Sequence, residues 1–355
     1  MMKNNKTELN VLGVMSGTSL DGLDLALSRF NGSDHEVLFT KFIPYSKQQQ
    51  SWLKSLYDAK GDRLQHAHLE YGKFLGETVK KLIREEKLAV DLIASHGHTV
   101  FHEPRKGFTF QLGHGQAIAQ EASVRTVADF RTQDVLLGGE GAPLVPIGDE
   151  LLYNQYDACL NMGGISNISF NDGKKRRAFD ISPCNYLINR FARELGQDYD
   201  ENGDIARNNE PISDLTERLN SLEIYSDKSN PSWSTELIMR AIEPLLMPFM
   251  TQEEKLISTF THHAAQKIAE TLNSIKKNGE VLLTGGGTYN KYLIELIKEQ
   301  TDWKLVIPDK ELIDFKEAIV FGLMGYLRVK NEINVFASAT GAQKDHITGV
   351  VYDEA

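Results

Sequence analysis

Apolar and polar positions recur along this chain with two different periods, and the switches between them mark its elements. "VLGVMSGTSLDGLDLALSRF", residues 11–30, is an apolar run, then a polar turn flanked by glycine, then a strict alternation. In that alternation Leu23, Leu25 and Leu27 share one face while Asp24, Ala26 and Ser28 share the other. The first run predicts a strand and the second a half-buried strand. From residue 64 to residue 83 the spacing becomes helical, through Tyr71, Phe74, Leu75, Val79, Leu82 and Ile83. "VDLIASHGHTV" then predicts a buried strand ending in a glycine loop.

The pattern restarts near Asp157. "DACLNMGGISNISFNDGKKRRAFDIS" predicts a strand, a Gly-Gly turn, a strand, an Asp-Gly hairpin and a further strand. It echoes the opening stretch, and two readings stand: a weak internal duplication, or two unrelated hairpins. In "AFDISPCNYLINRF", Phe179 and Asp180 end a strand, Ser182 serves as N-cap and Pro183 takes the first helical position. Leu256, Ile257, Phe260, Ala264, Ile268, Leu272 and Ile275 form the clearest amphipathic stripe, read as core packing. It leads into the strand "EVLLT", then "GGG", then a helix from about residue 290 to residue 298. "YSDKSNPSWSTE", residues 225–236, is the candidate mobile surface segment.

Strand and helix patterns alternate throughout, which predicts an α/β architecture. A chain of 355 residues is long enough for two domains, placed at 1–150 and 151–355, with the C-terminal tail a candidate to complete the first. The net charge of −10 argues against a nucleic-acid surface, which needs a basic stripe. The one basic cluster, Lys174, Lys175, Arg176 and Arg177, reads as a solvated strand edge. Cys159 and Cys184 give neither a disulfide framework nor paired zinc-ligand spacing, which fits a reduced compartment. The polar start "MMKNNKTELN" does not read as a signal peptide, and no apolar run reaches the length of a membrane span. A cytoplasmic protein with no membrane and no nucleic-acid partner is expected.

The chemistry is carried by glycine turns. Neither GxxxxGK[ST] nor a GxGxxG opening a helix occurs. Gly17, Gly22, Gly163, Gly164 and the run Gly285, Gly286, Gly287 instead follow apolar strands and are bordered by Ser, Thr or Asn. Such turns let consecutive N–H groups converge on an anion without a lysine, which points to phosphate. Asp21 or Asp24 either holds magnesium through water or caps the turn. Asp180, ahead of a helix N-terminus, is either a general base or an extra helix cap. His96, His98, His102 and His114 lack a zinc-site pattern and read as ligand or backbone contacts. Arg131 either pairs with Asp129 or Asp134 or holds an anionic substrate.

"GVMSGTSLDGLDLAL" resembles the signature of the anhydro-N-acetylmuramic acid kinase family. "SHGHTVFH", "DFRTQDVLLGGEGAPLVP", "NMGGISNISF", "YDENGDIAR", "LLTGGGTYN" and "SATGA" resemble further blocks in the same order, so the likeness runs from about Val11 to Tyr352. The resemblance implies an actin-like, ribonuclease H-like fold: two α/β domains flanking a cleft that takes ATP, magnesium and the sugar. It implies phosphorylation of 1,6-anhydro-N-acetylmuramic acid with hydrolytic ring opening, giving N-acetylmuramic acid 6-phosphate and ADP in cell-wall recycling. Gly17, Thr18, Ser19, Leu20, Asp21, Gly22, Leu23 and Asp24 would hold ATP phosphates, with Gly163, Gly164 and Asn167 as a second phosphate loop. Gly285, Gly286 and Gly287 would lie near the nucleotide, Asp180 would activate water, and His96, Thr99, Arg131 and Glu317 would contact the sugar. Two segments depart from the family pattern: "ISPCN", where many members have Thr-Gly-Pro-Gly-Asn, and "KSNPSWSTE", where Trp233 is out of register. The resemblance also suggests a homodimer. Two other readings stand beside it: a kinase of a different small sugar or carboxylic acid, and a non-catalytic ATP-binding sensor of actin-like build.

Overall fold

The computed structural model describes residues 7–17, 20–32, 34–226 and 233–354. The chain divides into two compact units, Met1–Tyr153 with Phe315–Ala355, and Asn154–Asp314. Residues 315–355, which lie within the stretch 151–355 and include the tail offered as a candidate to complete the first domain, group with the first unit.

In the first unit β1 (Leu9–Ser16), β2 (Gly22–Asn31) and β3 (Asp34–Pro44) form an antiparallel meander. β4 (Leu92–Glu103) lies parallel to β1 on its other side and forms a hairpin with β5 (Phe108–Leu112). β6 (Thr126–Ala128) follows parallel to β4. In the second unit β7 (Ala158–Met162), β8 (Ile165–Asn171) and β9 (Arg176–Pro183) form the meander. β10 (Glu280–Thr284) and β11 (Lys304–Val306) then add in parallel beyond β7. The main orders, β6-β4-β1-β2-β3 and β11-β10-β7-β8-β9, are the same, and β12 (Val350–Tyr352) adds one antiparallel edge strand to the first sheet. Of the two readings left open for the second hairpin, the duplication is the one this topology supports.

The helix Gly61–Glu86 presents Ala67, Tyr71, Leu75, Val79 and Leu82 to the leucines of β2, which gives the first core. The expected half-buried β2 is buried on both faces, with Ala26 and Ser28 both at 0% exposure. The covering element on the second face is the C-terminal helix Lys310–Lys330, which approaches β1 so closely that a Cβ on Gly13 would lie 1.8 Å from the Ala318 carbonyl oxygen. A pattern confined to residues 22–28 cannot show a helix that arrives some three hundred positions later.

In the second unit the helices Asn185–Glu194 and Glu253–Ile275 cover one sheet face, with Phe191 and Phe260 stacked 6.0 Å apart. Leu160, Met162, Ile168, Val281 and Leu283 belong to that core. The opposite face is polar. There Arg176, expected at a solvated edge, is buried and donates from Nη2 to Ser169 Oγ at 3.0 Å and toward Cys159 Sγ at 3.6 Å. Lys174 and Lys175 remain exposed, and Arg177 pairs with Asp172. Among the described residues no helix is long and apolar enough to cross a membrane.

A methyl group at Gly13 meets backbone, which no rotamer change can relieve. Gly13→Ala is expected to cost about 1–3 kcal/mol or more, as for other overpacked cores. A thermal melt indistinguishable from the parent would contradict this packing.

Candidate active site

The turn after β1 is shaped by close approach. A Cβ on Gly22 would lie 2.3 Å from the Ile43 carbonyl oxygen, so glycine is required there. Thr18 and Ser19, both expected on this turn, lie outside the described residues. The Leu20 amide donates to the Gly17 carbonyl at 3.4 Å, and Leu20 sits at φ 59° with its side chain against the core. Leu23 is buried between Ser16 and Ile43 in the sheet, which makes its side chain a packing group. Asp21 is exposed and accepts from the Gly22 amide at 3.0 Å, while Asp24 lies opposite Met15 and Phe42.

Behind this turn runs a buried polar chain that the pattern did not reveal. Ser16 Oγ shares hydrogen bonds with the Tyr45 hydroxyl at 2.8 Å and with His98 Nδ1 at 3.1 Å, and the Tyr45 and Tyr71 hydroxyls pair with each other. Burial raises both phenols and pulls His98 down to about 4, so the chain is neutral at physiological pH. Asp21 and Asp24 both act on Tyr45, raising it further. Among the described residues no group of three or more His, Cys, Asp or Glu side chains forms a metal cage. Magnesium bound with phosphate needs only one or two carboxylates, and this pair fits that donor set.

β4 does not end at its glycine. Val14 faces Ser95 and Met15 faces Gly97, so His96 is the extra residue of a bulge, and Gly97 takes φ +75°. His96 Nε2 receives Arg131 Nε–H at 2.8 Å, and its Nδ1 lies 2.8 Å from the Gly97 carbonyl. Arginine only donates, so Nε2 accepts and Nδ1 carries the hydrogen. Burial and the Arg131 charge hold this imidazole well below its ordinary pKa.

Arg131 also donates to the Gly141 carbonyl at 2.5 Å, and burial lowers it to about 10. Among the described residues no carboxylate lies within ion-pair distance of it. Asp129 accepts instead from the Thr132 amide at 3.2 Å. Asp134, fully buried, accepts from the Gly141 amide at 2.7 Å and the Thr340 hydroxyl at 2.6 Å. Of the two roles read for Arg131, internal pairing is thus unmet. Glu317 acts on Arg131 electrostatically. It is solvent-exposed, yet protein crowding raises its carboxyl, with Arg131 and Lys316 pulling it back. Thr99 lies opposite Gln111, whose amide donates to Thr99 at 3.4 Å and to Thr109 at 2.8 Å. His114 does not join this group: its Nδ1 caps the helix Gly115–Ala122 by accepting from the Gln116 amide.

In the second unit the two glycine corners come together. A Cβ on Gly285 would lie 2.4 Å from Asn161 Oδ1, one on Gly163 would lie 3.5 Å from Asn161 Nδ2, and one on Gly287 would lie 2.7 Å from Met162 Cβ. Asn161 therefore stands between the corners. Asn185 Nδ2 donates to the Met162 carbonyl at 3.1 Å and lies near the positions such atoms would take on Gly286 and Gly287. Asn161 opens the block "NMGGISNISF", yet an Asn inside an apolar strand reads as an interruption and gives no sign of its place between the corners.

The expected end of β9 is corrected. The strand continues through Ser182 and Pro183, and the helix begins at Asn185 with Cys184 as its N-cap residue. Ser182 does not cap; its hydroxyl shares a hydrogen bond with Ser166 at 3.2 Å. The first helical amides, Asn185 and Tyr186, donate to the Gly163 and Gly164 carbonyls at 3.2 and 3.0 Å, which removes the need for a side-chain cap. Asp180 is accordingly inside the strand, and the helix-cap reading falls. Its Oδ2 accepts from the Trp233 amide at 3.0 Å, and burial pushes its carboxyl up from the ordinary 3.8 to about 6 against that hydrogen bond. Trp233 is itself buried, its indole donating to the Ile181 carbonyl at 3.3 Å. In the segment read as mobile, residues 227–232 lie outside the described residues. Beside Asp180 is a cavity of about 270 Å³, with Tyr225, Trp233, Lys267 and Glu270 among its lining residues. A carboxylate with its proton affinity near neutrality is suited to accept a proton.

Two units of one strand order, each with a glycine turn after its central strand, define the actin-like class of fold. The family model described as anhydro-N-acetylmuramic acid kinase matches residues 9–354, and the chain belongs to that family. The anhydro-N-acetylmuramic acid kinase of Francisella tularensis subsp. novicida is 33% identical over 371 residues, covering 96% of this chain and 97% of that one. That of Caldanaerobacter subterraneus subsp. tengcongensis is 30% identical over 386 residues, covering 98% of each. Among solved structures, the activator of 2-hydroxyisocaproyl-CoA dehydratase from Clostridium difficile aligns with a TM-score of 0.45 at 12% identity, covering 91% of this chain and 97% of that one. The protein is a phosphotransferase with an alcohol acceptor and uses ATP.

Asp134→Ala leaves the Gly141 amide and the Thr340 hydroxyl without their acceptor. Each buried donor so orphaned costs about 1–3 kcal/mol, so a markedly lower melting temperature is expected. A parent-like melt would show that this carboxylate does not organise the Arg131 loop.

Proposed function

We propose that this chain transfers the γ-phosphoryl group of ATP to the 6-oxygen of 1,6-anhydro-N-acetylmuramic acid while water opens the anhydro ring. The products are N-acetylmuramic acid 6-phosphate and ADP, a step of cell-wall recycling. The observation that carries this reading is family membership over residues 9–354 in a chain whose Asp180 is held at about 6 inside β9.

Phosphoryl transfer asks mainly for positioning and charge neutralisation. Backbone amides of the turn from Gly17 to Asp24, and the corners at Gly163, Gly164 and Gly285–Gly287, are assigned to the phosphates. Asp21 or Asp24 would hold magnesium through water, and the bound ion would neutralise phosphate charge. Arg131, its charge unmatched at contact distance, takes the carboxylate of the sugar, with His96 fixing the guanidinium from behind. Thr99 and Glu317 are assigned to the sugar hydroxyl and amide groups. Asp180 removes a proton from water, whose oxygen bonds to the anomeric carbon. The bond from that carbon to the 6-oxygen breaks, and the electron pair left on the oxygen forms the bond to phosphorus as ADP leaves. The reading places the protein in the cytoplasm as a homodimer, with no nucleic-acid partner for a chain of net charge −10.

Incubation with ATP, magnesium and the anhydro sugar is expected to give a product heavier by the elements of phosphate plus water. Addition of phosphate alone would remove the hydrolytic half of the proposal. Asp180→Asn should keep ATP binding and lose about 10²-fold or more in turnover. Because the base works ionised, wild-type turnover should fall as pH drops below about 6. The stability sign is opposite. A carboxyl raised from 3.8 to about 6 stabilises the fold most at low pH and loses that contribution as pH rises through 6. Asp180→Asn should therefore melt no lower than the parent at pH 7. Arg131→Met should raise the KM for the sugar about tenfold to a hundredfold and leave ATP binding intact; an unchanged KM would reassign the arginine.

A further inference from the structure

The register of the second sheet lines up four polar residues across four strands. Asp180 on β9 faces Asn167 on β8, Asn167 faces Asn161 on β7, and Asn161 faces Thr284 on β10. Directly opposed residues bring their Cβ atoms to about 4.5–5.5 Å and project to one side of a sheet. The side is the polar one. Leu160, Met162, Ile168 and Leu283, the sequence neighbours of these residues, belong to the core on the other face. Arg176, four positions before Asp180 on the same strand, reaches Ser169 and Cys159 on the polar face.

A bulge produces this alignment. Ser166 faces Ser182, but the next pair is Asn167 with Asp180, so Ile181 is the extra residue. Without it Asn167 would face an isoleucine, and a one-residue slip moves a side chain to the opposite face. Bulges recur where a strand must re-aim one side chain beside a site.

The row also has unmet hydrogen-bonding capacity. Among the described residues Asn161 and Asn167 make no side-chain hydrogen bond, and Asp180 receives one, on Oδ2 from Trp233. The Thr284 hydroxyl is buried with no partner. Polar groups set side by side at a site and left unsatisfied by the protein are arranged for a polar occupant.

We infer that Asn167 is a positioning residue that holds the attacking water against Asp180, not part of a phosphate loop. The inference rests on the reading of Asp180 as the base. The carboxamide oxygen of Asn167 accepts one hydrogen of the water and Asp180 takes the other. The breaking O–H bond leaves its electron pair on the water oxygen, which is directed at the anomeric carbon. Asn161 and Thr284 continue the row away from the water toward Gly285, where a phosphate oxygen is the fitting acceptor for their N–H and O–H groups.

Three variants of the full chain separate the outcomes. Asn167→Ala should lower kcat about tenfold or more, with ATP affinity unchanged within about twofold. Asn167→Asp sets a second carboxylate across the strand from Asp180 and should move the acid limb of the pH–rate profile up by about 1 unit. The other ionisable groups around Asp180 are Arg176 on its own strand, Tyr225, and Lys267 and Glu270 across the cavity; all stay constant in the comparison. A weakened ATP affinity with an unmoved acid limb would return Asn167 to the phosphates and overturn the inference, as would an unchanged kcat. If Asn167→Ala does not fold, Asn167→Ser decides by the same two readouts. Asp180→Asn isolates the premise: its full activity sinks the base itself, whereas its inactivity beside a normal Asn167→Ala sinks only the water-positioning role.

Discussion

A helix cannot satisfy its own first amides, and in the second unit that constraint is met by the carbonyls of Gly163 and Gly164, which receive Asn185 and Tyr186. The junction ties the turn between β7 and β8 to the end of β9, so the glycine corner and the strand carrying Asp180 are located by the same hydrogen bonds. Asn185 adds a side-chain bond to the Met162 carbonyl, and the second corner packs on Met162. A change at any of these contacts would shift corner, strand and helix together.

The duplication makes the two units comparable position by position. Met15 lies two residues before Gly17 and faces Asp24; Asn161 lies two residues before Gly163 and faces Asn167. An acid in one unit thus corresponds to an amide in the other. The acid suits a cation, while the amide accepts and donates without adding charge beside Asp180. This fits the division of labour proposed for the two sheets, with the metal on one, water activation on the other, and glycine corners of both turned to phosphate.

Much of this was legible in the chain. The strand and helix alternation, the glycine corners and the amphipathic stripe from Leu256 to Ile275 all appear as elements or packing faces. Local pattern failed where a distant segment supplied the missing partner. β2 reads as half-buried because its second cover comes from residues after 315. Ser182 reads as a cap because a carbonyl from twenty positions upstream is invisible in a local window. Both bulges, at His96 and Ile181, change register without changing composition, so the facing of His96 and of Asp180 could not be counted out. The Ser16, Tyr45, Tyr71 and His98 chain draws on four separate segments, none with a pattern of its own.

The helix Lys310–Lys330 starts in one unit and finishes in the other, and its later residues press on Gly13. During synthesis the opening strand leaves the ribosome with one apolar side bare, and it stays bare until most of the polypeptide has been made. The inserted unit, by contrast, is continuous from Asn154 to Asp314 and has all its own core residues once residue 314 emerges. Domains form as their chain becomes available. The middle of this protein is thus equipped to fold before the beginning is finished, and the nascent chain must guard an uncovered sheet face from its first strand to nearly its last.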